Sequence, residues 1–148
     1  MKSFGLGILV ISVLLMVGCS GYGNSSSNNP ASGIAGNWTT TVSNQGGAQM
    51  IVFTSALSQS TLYGVTATNL HFSMGSACFP SGATASGSVM PSGNATSFVM
   101  TVQGTNATGT MLTLQGSLLS SSSISGTWTL SGLISGCSGS GSFTMTKM

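Results

Sequence analysis

The chain has 148 residues, with no Asp or Glu and only two Lys or Arg, Lys2 and Lys147. Without carboxylates there is no paired-acid chemistry and no Ser-His-Asp arrangement, and without a basic patch nothing meets the phosphates of a nucleic acid. Hydrophobic residues still reach 41% of the chain, which excludes disorder wherever they alternate regularly. Solubility falls to hydroxyls and amides: Ser and Thr supply roughly a third of the residues, far above ordinary usage.

The chain opens with MKSFGLGILVISVLLMVGC. One cation, Lys2, precedes an apolar run from Phe4 to Val17 broken only by Ser12, then Gly18 and Cys19. A basic start, a short greasy middle and a small residue before the cut make a secretory signal peptide. The run is shorter than the roughly 20 residues of a membrane-spanning helix. Met16-Val17-Gly18-Cys19 resembles the lipobox of bacterial lipoproteins, with Met where Leu is commonest. That resemblance implies cleavage before Cys19, which becomes the lipidated first residue. It also implies, through Ser20 rather than Asp at the next position, delivery to the outer membrane, facing the periplasm or the surface. An ordinary signal peptide cut elsewhere, with Cys19 discarded or left as a free thiol, is the rival reading. The polar stretch SGYGNSSSNNPASG, rich in Ser, Gly and Asn, buries nothing and reads as a tether. Residues 1–18 are thus expected as signal peptide, 19–35 as lipidated cysteine and tether, and 36–148 as one domain. Lys2 would leave with the signal, and Lys147 would be the one cationic side chain of the mature chain.

From Gly36 onward helix signals are absent, and segments of period-2 alternation recur between Gly, Asn, Ser and Pro. Asn37–Ser43 sets Trp38, Thr40 and Val42 on one face. Gln49–Leu57 is apolar on both faces at Met50-Ile51-Val52-Phe53, so its inward side stays open. Thr66–Met74 sets Leu70, Phe72 and Met74 against Asn69, His71 and Ser73. Thr84–Met90 is a weak strand of small residues, and Pro91-Ser92-Gly93-Asn94 is a strong turn. Ser97–Gln103 directs Phe98, Met100 and Val102 inward; Thr110–Leu118 groups Leu112, Leu114 and Leu118. Ile124–Leu130 aligns Ile124, Gly126, Trp128 and Leu130, and Gly141–Lys147 directs Phe143 and Met145 inward. The expected fold is all-β, an antiparallel meander of about eight strands. Edge strands are normally guarded by charge. Having almost none, this sheet is expected to close into a small up-and-down barrel, with a β-sandwich as the alternative.

With Cys19 assigned to lipid, Cys78 and Cys137 remain as one pair for an oxidising compartment; two free buried thiols are the competing reading. A metal site would have only His71 to join them and is not expected. His71 itself lies on the polar face of its segment, as a surface or hydrogen-bonded histidine. The glycine-rich run from Gly136 to Gly141 has no Lys and no following helix, so it is no phosphate loop. No cofactor and no catalytic residue is expected.

Trp38 and Trp128 at inward positions read first as core, and second as walls of an aromatic-lined cavity together with Phe98 and Phe143. Gly36-Asn37-Trp38 is similar to the Gly-x-Trp start of lipocalins and avidins, and that resemblance implies a barrel holding a small apolar or neutral ligand. More broadly, the plan of lipobox, Ser/Asn tether and Gly-Asn-Trp domain resembles small all-β bacterial lipoproteins. Two functions follow as expectations. The first is a non-enzymatic structural or interaction domain, lipid-anchored in the cell envelope and meeting a glycan or another envelope component. The second is a carrier barrel. Self-association of the Thr-rich β surface is a third.

Overall fold

A computed structural model describes residues 32–105 and 109–148. The signal segment, Cys19 and most of the tether lie outside the described residues. Eight strands run in chain order around one closed barrel: β1 (Gly36–Asn44), β2 (Gln49–Gln59), β3 (Gly64–Met74), β4 (Ala83–Ser92), β5 (Ala95–Gly104), β6 (Met111–Ser120), β7 (Ser123–Ser131) and β8 (Gly139–Lys147). Every neighbour is antiparallel, and β1 pairs with β8 from Trp38↔Lys147 to Asn44↔Gly141. The expected barrel is the fold adopted, and the sandwich is not.

Closure follows from the alternation. Inward positions carry the apolar side chains, among them Trp38, Val42, Phe53, Phe98, Met100, Leu112, Leu114, Ile124, Trp128 and Met145, all buried. Outward positions carry hydroxyls: Thr39, Thr41 and Ser43 on β1, Thr127 and Thr129 on β7, Ser142, Thr144 and Thr146 on β8. A membrane-spanning barrel has the opposite arrangement, apolar outside and polar within. The ambiguous β2 resolves the same way, with Ile51, Phe53, Ser55 and Leu57 buried and Met50, Val52 and Thr54 half-buried on the outside.

Glycines let the wall bend around its largest residues. Phe98, Gly116, Gly126 and Phe143 are successive cross-strand partners on β5, β6, β7 and β8. With no side chain on the middle two, the phenyl rings lean toward each other, their centroids 6.4 Å apart. A Cβ on Gly116 would strike the backbone of Ser125, and one on Gly126 the backbone of Gln115. These two positions admit no other residue without moving the wall.

Two differences from the sequence reading concern β3 and the tether. The β2–β3 register shifts between Thr54 and Ala56 and again between Val52 and Phe53, and Asn69 takes a left-handed φ of 54°. Such a bulge adds one residue and flips the alternation. The inward positions therefore pass from Val65 and Ala67 to Leu70 and Phe72, and Met74, expected on one face with these two, ends 43% exposed. The domain also begins earlier than Gly36. A short 3-10 turn, Ser32–Ile34, precedes β1, and Ile34 within it is completely buried. The last residues assigned to the tether belong to the core, because Ile34 is the one large apolar side chain between Ala31 and Trp38.

The two barrel ends are closed differently. At the entry end, where the described chain begins, Ile34 packs inside and its carbonyl accepts the Trp38 indole N–H at 2.7 Å. At the opposite end, the β3–β4 and β7–β8 connections lie half a barrel apart, and the Cys78–Cys137 disulfide joins them across the mouth with Cα atoms 5.5 Å apart. The bridge spans 59 residues, a loop whose closure is worth about 4 kcal/mol in the chain-entropy model. Beside it Phe79 is buried and stacks on Phe72, ring centroids 4.8 Å apart. This packing sits where β3 and β4 part company, since they pair only between Gly64–Ala67 and Ala85–Ser88.

Candidate functional site

The interior was one expected place for a ligand, with Trp38, Phe98, Trp128 and Phe143 as its walls. All four side chains point inward, as the alternation requires. Trp38 and Phe98 have no accessible surface, and Trp128 and Phe143 have 1% and 2%. A void large enough for a ligand, or even for one water, would leave its lining with measurable surface. These aromatics fill the barrel instead of lining a cavity. The physical reason is their bulk: an eight-stranded barrel is just wide enough for side chains to fill, and four large aromatic groups together with Phe53, Met100 and Met145 do so. Three buried hydroxyls, of Thr40, Ser55 and Thr110, have no hydrogen-bond partner. Thr40 and Thr110 have no accessible surface and Ser55 has 3%, so no ligand-sized void opens onto them.

Cys78 and Cys137 are brought together as the disulfide, and Cys19 lies outside the described residues. His71 is exposed on β3, and among the described residues no group of three or more His, Cys, Asp or Glu gathers in one place.

A concavity among the described residues lies on the outside. A cleft of about 520 Å³ lies between the β1–β2 turn and the outer faces of β7 and β8, near the strapped end. Asn44, Gln45 and Gly47 form one side, Thr127, Thr129, Ser140 and Ser142 the other, with Gly141 and Trp128 beneath. Each part has a local cause. Asn44 ends β1, and its side-chain oxygen accepts the Ala48 N–H at 3.0 Å, which holds the turn upright over Gly47, a left-handed residue at φ 81°. Thr127 faces Ser142, and Thr129 faces Ser140, as direct cross-strand partners. Four outward hydroxyls therefore stand in a rectangle, about 5 Å apart across the strands and about 7 Å along them.

Trp128 holds this region together from below. Its partner on β8 is Gly141, and Gly139 and Gly141 leave room for the indole to run under β8. The ring reaches β1, where its N–H donates to the Ser43 carbonyl at 2.7 Å. One side chain thus spans three strands at the seam where the barrel closes. Being 1% exposed, it supports the cleft floor and offers no face to a ligand. The cleft walls are uncharged amides and hydroxyls, suited to trading hydrogen bonds with a neutral polyol surface and lacking the charge to attract an ion.

The sequence reading did not foresee this cleft. Its residues come from one turn and from two strands far from it in the chain, and each, taken alone, looks like ordinary outer-face chemistry. The one available signal was the spacing of Gly139 and Gly141 at inward positions opposite Leu130 and Trp128. No family model, curated protein or solved structure matches the chain at a significant level.

Proposed function

We propose that this is an exported, lipid-anchored envelope protein whose barrel is a non-enzymatic interaction domain, carrying its contact site on the outer cleft and not in the barrel interior. The anchor reading is supported by the lipobox-like Met16-Val17-Gly18-Cys19 and by a domain held by a disulfide, the bond of oxidising compartments. The non-enzymatic reading is supported by the lack of any carboxylate and by a lone exposed His71. The observation that carries the site is the filled interior, which moves ligand contact to the outside. There the uncharged cleft fits a neutral, hydroxyl-rich partner, a glycan of the envelope. The carrier reading loses its support with the same observation.

Two measurements test this. Acylation is read by intact mass of the protein from its host membrane, where native protein should carry lipid at Cys19 and Cys19→Ser should carry none. Glycan contact is read by calorimetry of the folded protein with neutral oligosaccharides and soluble cell-wall fragments. Ser140→Trp, which places an indole in the cleft, should weaken binding at least severalfold while leaving the fold intact. A native protein that binds none of these glycans sinks the cleft reading. A small molecule released on unfolding of host-purified protein would restore the carrier.

A further inference from the structure

The entry end of the barrel combines features that the strapped end lacks. The described chain starts there, so the segment leading back to Cys19 leaves from this end, and Lys147 lies there too, its ammonium bonded to the Gly33 carbonyl at 3.3 Å. Around the rim, large apolar side chains face water: Leu62 at 57% and Tyr63 at 40% in the β2–β3 turn, Met90 at 46% near the end of β4, and Leu119 at 68% near the end of β6. Leu119 takes an outward position in the alternation of its strand, whose inward members are Leu112, Leu114 and Leu118, beside a register shift between Leu118 and Ser120. These positions are distributed around the barrel mouth, at the β2–β3 turn and near the ends of β4 and β6. The strapped end shows Met74, Met111 and Leu133, but no cation and no chain leading to an anchor.

We infer that the entry end rests on the lipid bilayer, with Leu62, Tyr63, Met90 and Leu119 entering the headgroup region. This rests on the lipid-anchor reading of Cys19. Twelve residues, 20–31, separate the acylated cysteine from the described chain. Such a segment spans at most about 45 Å even when fully extended. That distance holds the entry end within reach of the surface at all times and makes the second, weaker contact effectively intramolecular. Amphipathic tyrosine and apolar leucine and methionine are suited to the boundary, where apolar groups sit about 5–10 Å into the headgroup layer. The chain has no Asp or Glu anywhere, so no acidic side chain repels anionic lipid, while the Lys147 ammonium is offset by the terminal carboxylate of its neighbour Met148. The orientation that results turns the disulfide strap and the outer cleft away from the membrane, toward partners.

The test uses full-length acylated protein reconstituted in phosphatidylcholine–phosphatidylglycerol vesicles containing brominated acyl chains, which quench nearby tryptophan. Tyr63→Trp places a reporter on the entry rim and Leu133→Trp one on the strapped end, against the constant background of buried Trp38 and Trp128. Quenching and a blue shift should appear severalfold more strongly at position 63 than at 133. In a Tyr63→Trp protein that also carries Leu62→Ser and Leu119→Ser, quenching at 63 should fall severalfold although the acyl chain still holds the protein on the vesicle. Equal or absent quenching at both positions in demonstrably acylated, vesicle-bound protein overturns the docking alone. A Cys19 that carries no lipid by mass overturns the anchor and the docking together.

Discussion

The two ends of the barrel solve one problem, an open mouth, by opposite means. At the entry end the plug is local: Trp38 donates its indole proton to Ile34, four residues back, and Ile34 fills the mouth. At the strapped end the bridging contacts are distant in sequence. Trp128 reaches Ser43 across 85 residues, and the disulfide spans 59. Both tryptophans have a buried body and one satisfied N–H, with donor–acceptor distances of 2.7 Å in each case. A local plug can form and fray without disturbing the strands, whereas the distant contacts form only once the barrel has closed. The entry end should therefore open first in the native state, and the strapped end should open only with global unfolding.

The strongest way to break this contrast is Trp128→Ala. It removes the bulk beneath β8 and the indole N–H that the Ser43 carbonyl accepts, so a loss of about 3–5 kcal/mol is expected from the cavity alone, read by urea unfolding. Replacing both bridging cysteines, Cys78→Ser with Cys137→Ser, should cost about 4 kcal/mol. Amide exchange in that double variant should quicken in the β3–β4 and β7–β8 connections while the 3-10 turn at Ser32–Ile34 is unaffected. Ile34→Ala should cost about 2 kcal/mol, the low end for a buried aliphatic truncation, because the turn that carries it can close in part over the gap. Faster exchange should then be confined to the entry end. Were it to spread to the strapped end, the two closures would be one cooperative unit. The smallest effect is expected at the cleft: Thr127→Ala with Thr129→Ala should change stability by no more than about 0.5 kcal/mol, yet reduce glycan binding measured by calorimetry.

Much of this fold was legible because strand grammar is local. Inward alternation picked out Phe98, Met100 and Val102, or Ile124, Gly126, Trp128 and Leu130, and the structure buries the large members of both sets. The lack of charge argued for a sheet without edges, and the barrel closes. The cysteine pairing followed from there being two of them once Cys19 was set aside. What stayed hidden depended on single residues or distant pairings. Nothing around Asn69 announces the bulge that reverses the alternation of β3. The two-faced run in β2 could be oriented only by its neighbours, and Ile34 was masked by polar surroundings. The cleft was least visible, since it exists only where the β1–β2 turn meets β7 and β8.

The disulfide also bears on how quickly the barrel can assemble. The most remote pairing in the molecule joins β1 to β8, where Trp38 and Lys147 lie 109 residues apart along the chain. Once Cys78 and Cys137 are bonded, a shorter path runs 40 residues from Trp38 to Cys78 and 10 from Cys137 to Lys147. Halving the contour lowers the entropy of bringing those ends together by about 0.6 kcal/mol, roughly a threefold gain in the rate of that encounter where it limits folding. The bridge thus divides a long search into two shorter ones, with β4 to β7 inside the covalent loop and β8, β1, β2 and β3 outside it. A chain that oxidises early would assemble as two four-strand halves that need only meet.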